Sequence, residues 1–354
     1  MQSTKYLRYI TGAVALSVSC LVFSDSSFAQ NKQIERIVVF GSSLSDSGNA
    51  FVLLSDPASF GFSEECIGLM GSPANVPPYD ALDDLLIPDG SYAKGGHHEA
   101  NGATWIEQFA RGKGLSGNVL PALRNPGIQA SNYAVGGARA SDYPCRFNLA
   151  DQLDEYQRDF SATSANTLVV LEIGGNDVRD ALAGLLAGLP GDPINTATDN
   201  IEGAIRTLYG QGARNFLLVN VPAIGKTPAV KILDAFISSF GSVPPGFVVT
   251  TANNLAGSFN LKLAQLQVDL NQDHGLSGID VQTLNLYGLL NEIIENPVSF
   301  GIINTDDACV TPNIAPFQCK KPDTYLFWDG IHPTKVVHDI MAQRAAEVLL
   351  TPTP

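Results

Sequence analysis

Basic residues are scarce: 21 Lys and Arg stand against 35 Asp and Glu in 354 residues, giving a formal net charge of −14. A chain this acidic repels phosphate backbones, which argues against nucleic acid as a partner. Charge of either sign is also thin, at 16 % of residues against 45 % hydrophobic, and that balance excludes a disordered chain. Internal repeats, low-complexity tracts and runs of like charge are missing too. No apolar stretch reaches the ~20 residues that a membrane span needs.

The longest such stretch, Ile10 to Phe23, follows Lys5 and Arg8 and precedes the small-x-small run Ser27-Phe28-Ala29. A basic start, an apolar middle and such a site read as a secretory signal over residues 1–29, cleaved near Ala29. Cys20 offers a lipoprotein start, but Ser17 stands where a large aliphatic residue is needed, so export to a periplasmic or extracellular space is the reading preferred. Cleavage removes Lys5, Arg8 and Asp25 and moves the net charge from −14 to −15. Four cysteines remain, Cys66, Cys145, Cys309 and Cys319, and an even count in an exported chain predicts two disulfides. None of them has the close spacing of zinc ligands, so no metal site is expected. The ten-residue spacing favours Cys309–Cys319. Cys66–Cys145 would then tie an early insertion to the middle of the chain, with other pairings open.

Of what is present, the run Val38-Val39-Phe40-Gly41-Ser42-Ser43-Leu44-Ser45-Asp46-Ser47-Gly48-Asn49 organises the rest. An apolar strand stops at Gly41 and hands over to small hydroxyl and acidic residues, the pattern of a buried parallel strand ending in a tight turn before a helix. Unpaired N–H groups at such a junction can hold an oxyanion while a serine stands exposed. Near the other end, Trp328-Asp329-Gly330-Ile331-His332-Pro333 places a carboxylate three residues before a histidine, ahead of a last amphipathic helix. Asp329 can fix the tautomer of His332 and leave its other nitrogen to take a proton. The first turn lacks the second glycine of a GxSxG elbow, which excludes the α/β-hydrolase fold.

These blocks resemble those of the GDSL, or SGNH, family of serine esterases and lipases. Phe40 to Asn49 is similar to the family's first block and puts the nucleophile at Ser43. Asn132-Tyr133-Ala134-Val135-Gly136-Gly137-Ala138 resembles the second, which implies an oxyanion N–H at Gly137, with Gly136 as the fallback. Gly174-Gly175-Asn176-Asp177 matches the third and implies a second donor in the Asn176 amide. Asp329 and His332 match the last, and the resemblance spans roughly residues 36–349. In one departure, the acidic residue that names the first block is replaced by Ser42; the nucleophile position is untouched, so hydrolysis is expected to survive. The family pattern implies a catalytic Ser43, Asp329 and His332, an oxyanion hole of Ser43, Gly137 and Asn176, and no cofactor.

Strands at Ile37–Phe40, Asn132–Val135, Leu168–Ile173, Phe216–Val221 and Ile279–Leu284 alternate with helical stripes, which predicts an α/β fold with a parallel sheet covered on both faces. Helices are read at about 104–111, 149–160, 178–186, 201–208, 255–270, 286–294 and 335–349. The resemblance implies a flavodoxin-like, three-layer SGNH arrangement with five strands in the order 2-1-3-4-5. Residues 30–354 are expected to form one domain. Residues 50–100 read as an insertion poor in helical pattern over or beside the site. His97 and His98 read as exposed loop residues, and His274 and His338 as structural. Residues 222–249 read as a short core helix or as an apolar flap walling an acyl pocket.

The expected activity is therefore hydrolysis of carboxylic esters of lipid type, with short to medium acyl chains, through an acyl-enzyme. The partners are a small-molecule or lipid ester and, transiently, a lipid interface. Acetyl esters of polysaccharide and acyl transfer between lipids are the alternatives. A binding protein without activity is the reading from another class, prompted by Ser42. The chain's end soon after the last helix leads us to expect a released protein without a membrane barrel.

Overall fold

The computed structural model describes residues 34–70, 98–124, 129–310 and 318–350. The signal read at 1–29, His97 and the central part of the 50–100 insertion lie outside them. Ile37 to Phe40 forms the heart of strand β1 (Arg36–Gly41), buried from Ile37 onward. Helices α1 (Asn49–Ser55) and α2 (Glu64–Met70) follow, with a 3-10 turn at Pro57–Phe60 between them. The insertion is thus more helical than its composition implies, because Leu53 and Leu54 find apolar partners in Leu123, Val135 and Phe147 only after folding. The chain continues through α3 (Trp105–Gly112), α4 (Leu149–Asp159), β2 (Thr167–Glu172), α5 (Gly175–Leu186), α6 (Pro193–Gly210) and β3 (Asn215–Val219). After these come α7 (Pro228–Ser239), α8 (Phe247–Gln272), β4 (Asp280–Leu284), α9 (Leu286–Glu295), β5 (Asn304–Ala308), β6 (Tyr325–Phe327) and α10 (Lys335–Val348).

Helix starts follow local chemistry. Thr104 and Glu107 make a capping box at α3, while Asp192 and Thr227 accept from the first turns of α6 and α7, each with proline at the first position. Asn285 caps α9 through the Gly288 N–H at 2.9 Å.

The strands β1-β2-β3-β4 lie parallel in that order, with Ile37 paired to Leu168 and Gly41 to Glu172. Alternate side chains separate two cores. Val38, Phe40, Val169, Leu171, Phe216 and Leu218 pack under α4, α5, α6 and α8. Ile37, Val39, Leu168, Val170, Leu217 and Val219 pack under α3, α9 and α10. The result is a three-layer α/β sandwich.

Among the described residues the sheet has four regular strands, not five. The segment read as the second strand does run beside β1, with Val39 N–H donating to Ser131 O at 2.9 Å and Tyr133 N–H to Val39 O at 2.8 Å. Its ladder ends as isolated bridges. The physical reason lies in a side chain: Val135 N–H still donates to Gly41 O at 3.1 Å, but Gln152 Oε1 accepts the Gly41 N–H at 2.9 Å, so the bond that would close the next rung is not made. Its place next to β1 is the one the order 2-1-3-4-5 assigns. The pair β5–β6, also parallel, was not foreseen: β5 reads Asn-Thr-Asp-Asp-Ala and buries little. The 255–270 helix begins eight residues earlier, at Phe247, where Asp234 accepts from the Gly246 and Val248 N–H groups at 2.7 and 2.8 Å.

Candidate active site

Strand β1 can end where it does only because Gly41 has no side chain; a Cβ there would lie 2.6 Å from the Glu172 carbonyl oxygen. The chain then turns, with Ser45 N–H donating to Ser42 O at 3.1 Å. Ser42, Ser45, Asp46 and Ser47 are buried, and Ser43 is the hydroxyl of this turn that is partly exposed. Asp46, fully buried, accepts from the N–H groups of Gly48, Asn49 and Ala50 at 2.7, 2.6 and 3.0 Å, seating the start of α1. Its second oxygen also accepts the Gly136 N–H at 2.8 Å. Burial pushes its carboxyl up, partly offset by these four donors.

That bond separates the two candidates in the second block. Gly136 spends its N–H on Asp46, whereas among the described residues neither Gly137 nor Ser43 gives its N–H to a protein acceptor. Gly137 has φ +75° in a turn closed by Ala138 N–H to Val135 O at 3.1 Å, a position suited to glycine. Arg139, buried, donates to the Gly137 carbonyl and to both oxygens of Asp180 at 2.9 and 3.0 Å. Tyr143 lies 4.1 Å from its guanidinium carbon.

Asn176 lies in the first turn of α5 but does not cap it. Its Nδ2 donates to the Ala138 carbonyl at 2.9 Å, and its Oδ1 accepts from Arg179 at 2.8 Å. The amide is thereby oriented, with one Nδ2–H committed and the second left to donate elsewhere. The Asp177 carboxylate next to it accepts from the Ala140 and Ser141 N–H groups, each at 2.9 Å, so the third block is tied to the backbone just after the second.

The Asp329–His332 couple forms within one tight loop. Asp329, fully buried, accepts from the N–H groups of Ile331 and His332 at 2.8 and 2.7 Å through one oxygen, and pairs with His332 Nδ1 at 2.7 Å through the other. The loop is braced on three sides. Cys309 and Val310 donate to the Phe327 and Trp328 carbonyls at 3.1 and 2.8 Å, beside the Cys309–Cys319 disulfide. Trp328 N–H reaches His332 O at 2.7 Å, and Ala229 N–H, an otherwise unpaired donor in the first turn of α7, reaches Gly330 O at 2.9 Å. The second disulfide joins Cys66 to Cys145, as the favoured pairing has it.

Several residues that matter to this geometry carry no motif. Glu172 ends β2 beneath the Ser42–Ser45 turn, and burial lifts its carboxyl to about 7 against the pull of Ser42, Ser45 and His332. A lone acid in the apolar run Leu-Val-Val-Leu-Glu-Ile was the signal for it. Glu99 is buried with Oε2 3.9 Å from His332 Nε2; nothing in its Gly-rich surroundings marks it. His98 is buried, not exposed: its Nε2 lies 2.9 Å from Glu107, whose carboxyl is raised by burial but drawn lower overall by that histidine. His338 Nδ1 accepts the Trp105 N–H at 3.1 Å, and burial takes its pKa down to about 3, leaving a neutral structural imidazole.

Beside the turn lies a cavity of about 300 Å³. Ser43, Glu172, Asn176, Arg179 and Asp180 line its polar side, and Leu182 and Leu186 of α5, Val221, Val230 and Leu233 of α7, and Ile331 line the apolar one. The segment 222–249 is therefore both a helix and a cavity wall. Its outer residues Ile232, Phe236 and Phe240 are exposed.

A serine turn, an imidazole–carboxylate couple and a largely apolar cavity on a parallel α/β sheet are parts that an ester-hydrolysing enzyme needs. Comparison with known proteins agrees: residues 37–345 match the family described as GDSL-like Lipase/Acylhydrolase. One GDSL esterase/lipase of Arabidopsis thaliana is 26 % identical over 370 residues, covering 94 % of this chain and 90 % of its own. A second from that plant is 24 % identical over 368 residues, with 96 % and 97 % covered. Among solved structures, a catalytic mutant of an acetylxylan esterase from Geobacillus stearothermophilus aligns over 89 % of this chain and 93 % of its own, with 12 % identity and a TM-score of 0.42. The chain belongs to the GDSL lipase/acylhydrolase family and is a carboxylic ester hydrolase.

Proposed function

We propose that the protein is a secreted serine esterase acting on lipid-type esters of short to medium acyl chain through Ser43, His332 and Asp329. Ser43 Oγ attacks the ester carbonyl while His332 Nε2 takes its proton and Asp329 steadies the imidazolium. The tetrahedral oxyanion is held by the N–H groups of Ser43 and Gly137 and by Asn176 Nδ2. Its collapse breaks the bond to the alkoxy oxygen, which leaves as the alcohol with the proton from His332. Water then attacks the acyl-serine, His332 again taking a proton, and the acid departs as Ser43 is regenerated. None of these steps calls on a metal or an organic cofactor.

The observation that carries the reading is the cavity that opens on Ser43 and Asn176, walled mainly by apolar side chains with Arg139, Glu172, Arg179 and Asp180 on its polar side. Its 300 Å³ is at the low end of the ~300–1,000 Å³ of ligand pockets, in keeping with a modest acyl chain. The exposed Ile232, Phe236 and Phe240 beside it favour brief contact with a lipid interface. Two disulfides fit an oxidising compartment, and the leader read at 1–29 supplies the route. A fluorophosphonate should label Ser43 of the wild type, and p-nitrophenyl esters longer than acetate should be hydrolysed. Ser43→Ala should lose at least about 10³-fold in kcat. No label on folded wild type overturns the reading, and activity confined to acetate moves it to acetyl esters of carbohydrate.

A further inference from the structure

The first block lacks its acidic residue at position 42, yet a carboxylate is present at this turn. Glu172 reaches it from the neighbouring strand, where the register places it opposite Gly41. Its oxygens accept the Ser42 hydroxyl at 3.2 and 3.4 Å and the Ser42 N–H at 3.3 Å. The Ser45 side chain donates to it as well, while Ser45 Oγ accepts from Trp105 Nε1 at 3.0 Å. The donors come from residues 42 and 45, on either side of Ser43. A buried carboxylate costs stability unless its lone pairs are used, and here they are used on the turn that carries the serine.

We propose that Glu172 is a positioning residue for Ser43, supplying from the end of β2 the carboxylate that the first block otherwise carries at position 42, and fixing the turn through Ser42 and Ser45. The geometry explains why Ser42 is tolerated: a short hydroxyl donor at position 42 suits an acceptor arriving from across the strand pair, whereas an aspartate there would set two carboxylates face to face. The charged and titratable groups around it are few. His332 favours its ionised form, and across the cavity stand Arg139, paired with Asp180, and Arg179 on Asn176. Glu172 does not touch the reacting atoms in this assignment; it acts through the backbone that holds Ser43, where displacement of a reacting group by an ångström can cost about 10²-fold in rate.

The inference rests on Ser43 being the nucleophile, and its test separates the two. The rate of fluorophosphonate labelling is measured for wild type, Glu172→Gln and the double variant Ser42→Asp/Glu172→Gln, with kcat, KM and Tm for each. Labelled wild type secures the nucleophile; failure there defeats the proposed function and not this assignment alone. Glu172→Gln should label about 10- to 100-fold more slowly and lose kcat in proportion, with KM and fold retained. Returning the carboxylate to position 42 in the double variant should restore both to within about threefold of wild type. Labelling of Glu172→Gln within about twofold of wild type overturns the proposal, as does a loss that the double variant does not recover. Should Glu172→Gln fail to fold, Glu172→Asp decides: a carboxylate one methylene short should slow labelling at least about threefold, and an unchanged rate overturns the proposal.

Discussion

Burial raises the Glu172 carboxyl from 4.5 to about 7, and its effect on stability has a definite sign. A carboxyl that holds its proton more tightly in the folded state contributes stability fully below pH 4.5 and loses it as pH climbs through 7. Glu172→Gln should therefore match the wild type in Tm near pH 4 and exceed it above pH 7. The gain is of order 3 kcal/mol before altered hydrogen bonds are counted, and thermal melts across that range check it. Asn176 is the complementary case: if its oriented amide is the oxyanion donor of the proposed mechanism, Asn176→Ala should keep the fold and lose about 10²–10³ in kcat. A loss under tenfold would remove it from that role. At this scale the spaced blocks pointed to Ser43, Gly137 and Asp329, and the contact they implied between Asp329 and His332 is present at 2.7 Å. It was not legible at Glu99 or Arg139, because their partners, His332 and Asp180, lie far along the chain and only folding makes them neighbours.

Helix α7 carries the cavity on one side and solvent on the other. Val230→Phe should fill part of the 300 Å³ space and shift the preferred acyl chain toward acetate, read from a p-nitrophenyl ester series. The strand pair β5–β6 matters to the base rather than to the acyl chain, because its extension carries the backbone bonds to Phe327 and Trp328, just ahead of Asp329. Periodicity missed β5, which is polar and half-exposed: its reason for being a strand is a set of backbone acceptors some twenty residues later, and no local alternation records that. The main strands were legible for the opposite reason. β1, β2 and β3 are each a short apolar run cut off by glycine or asparagine, buried on both faces, and so nearly independent of what surrounds them.

Over the whole molecule, the groups of the proposed site come from residues 43, 137, 176 and 332, so the fold must close long loops before any of them can serve. The two disulfides divide that task unequally. Cys66–Cys145 spans 79 residues and Cys309–Cys319 spans 10. In a chain-entropy account, replacing the first pair by serines should cost about 4.5 kcal/mol and the second about 3 kcal/mol. The shorter bridge, braced against the histidine loop, should take the larger toll on kcat; denaturant melts and turnover of the two double variants check both. The bond from Ala229 to Gly330 has a practical side. The helix that walls the cavity and the loop that carries His332 are held by a common backbone contact. Anyone re-cutting the chamber from that helix to change what the esterase accepts should expect its speed to change as well, so selection for a new substrate will have to screen on both.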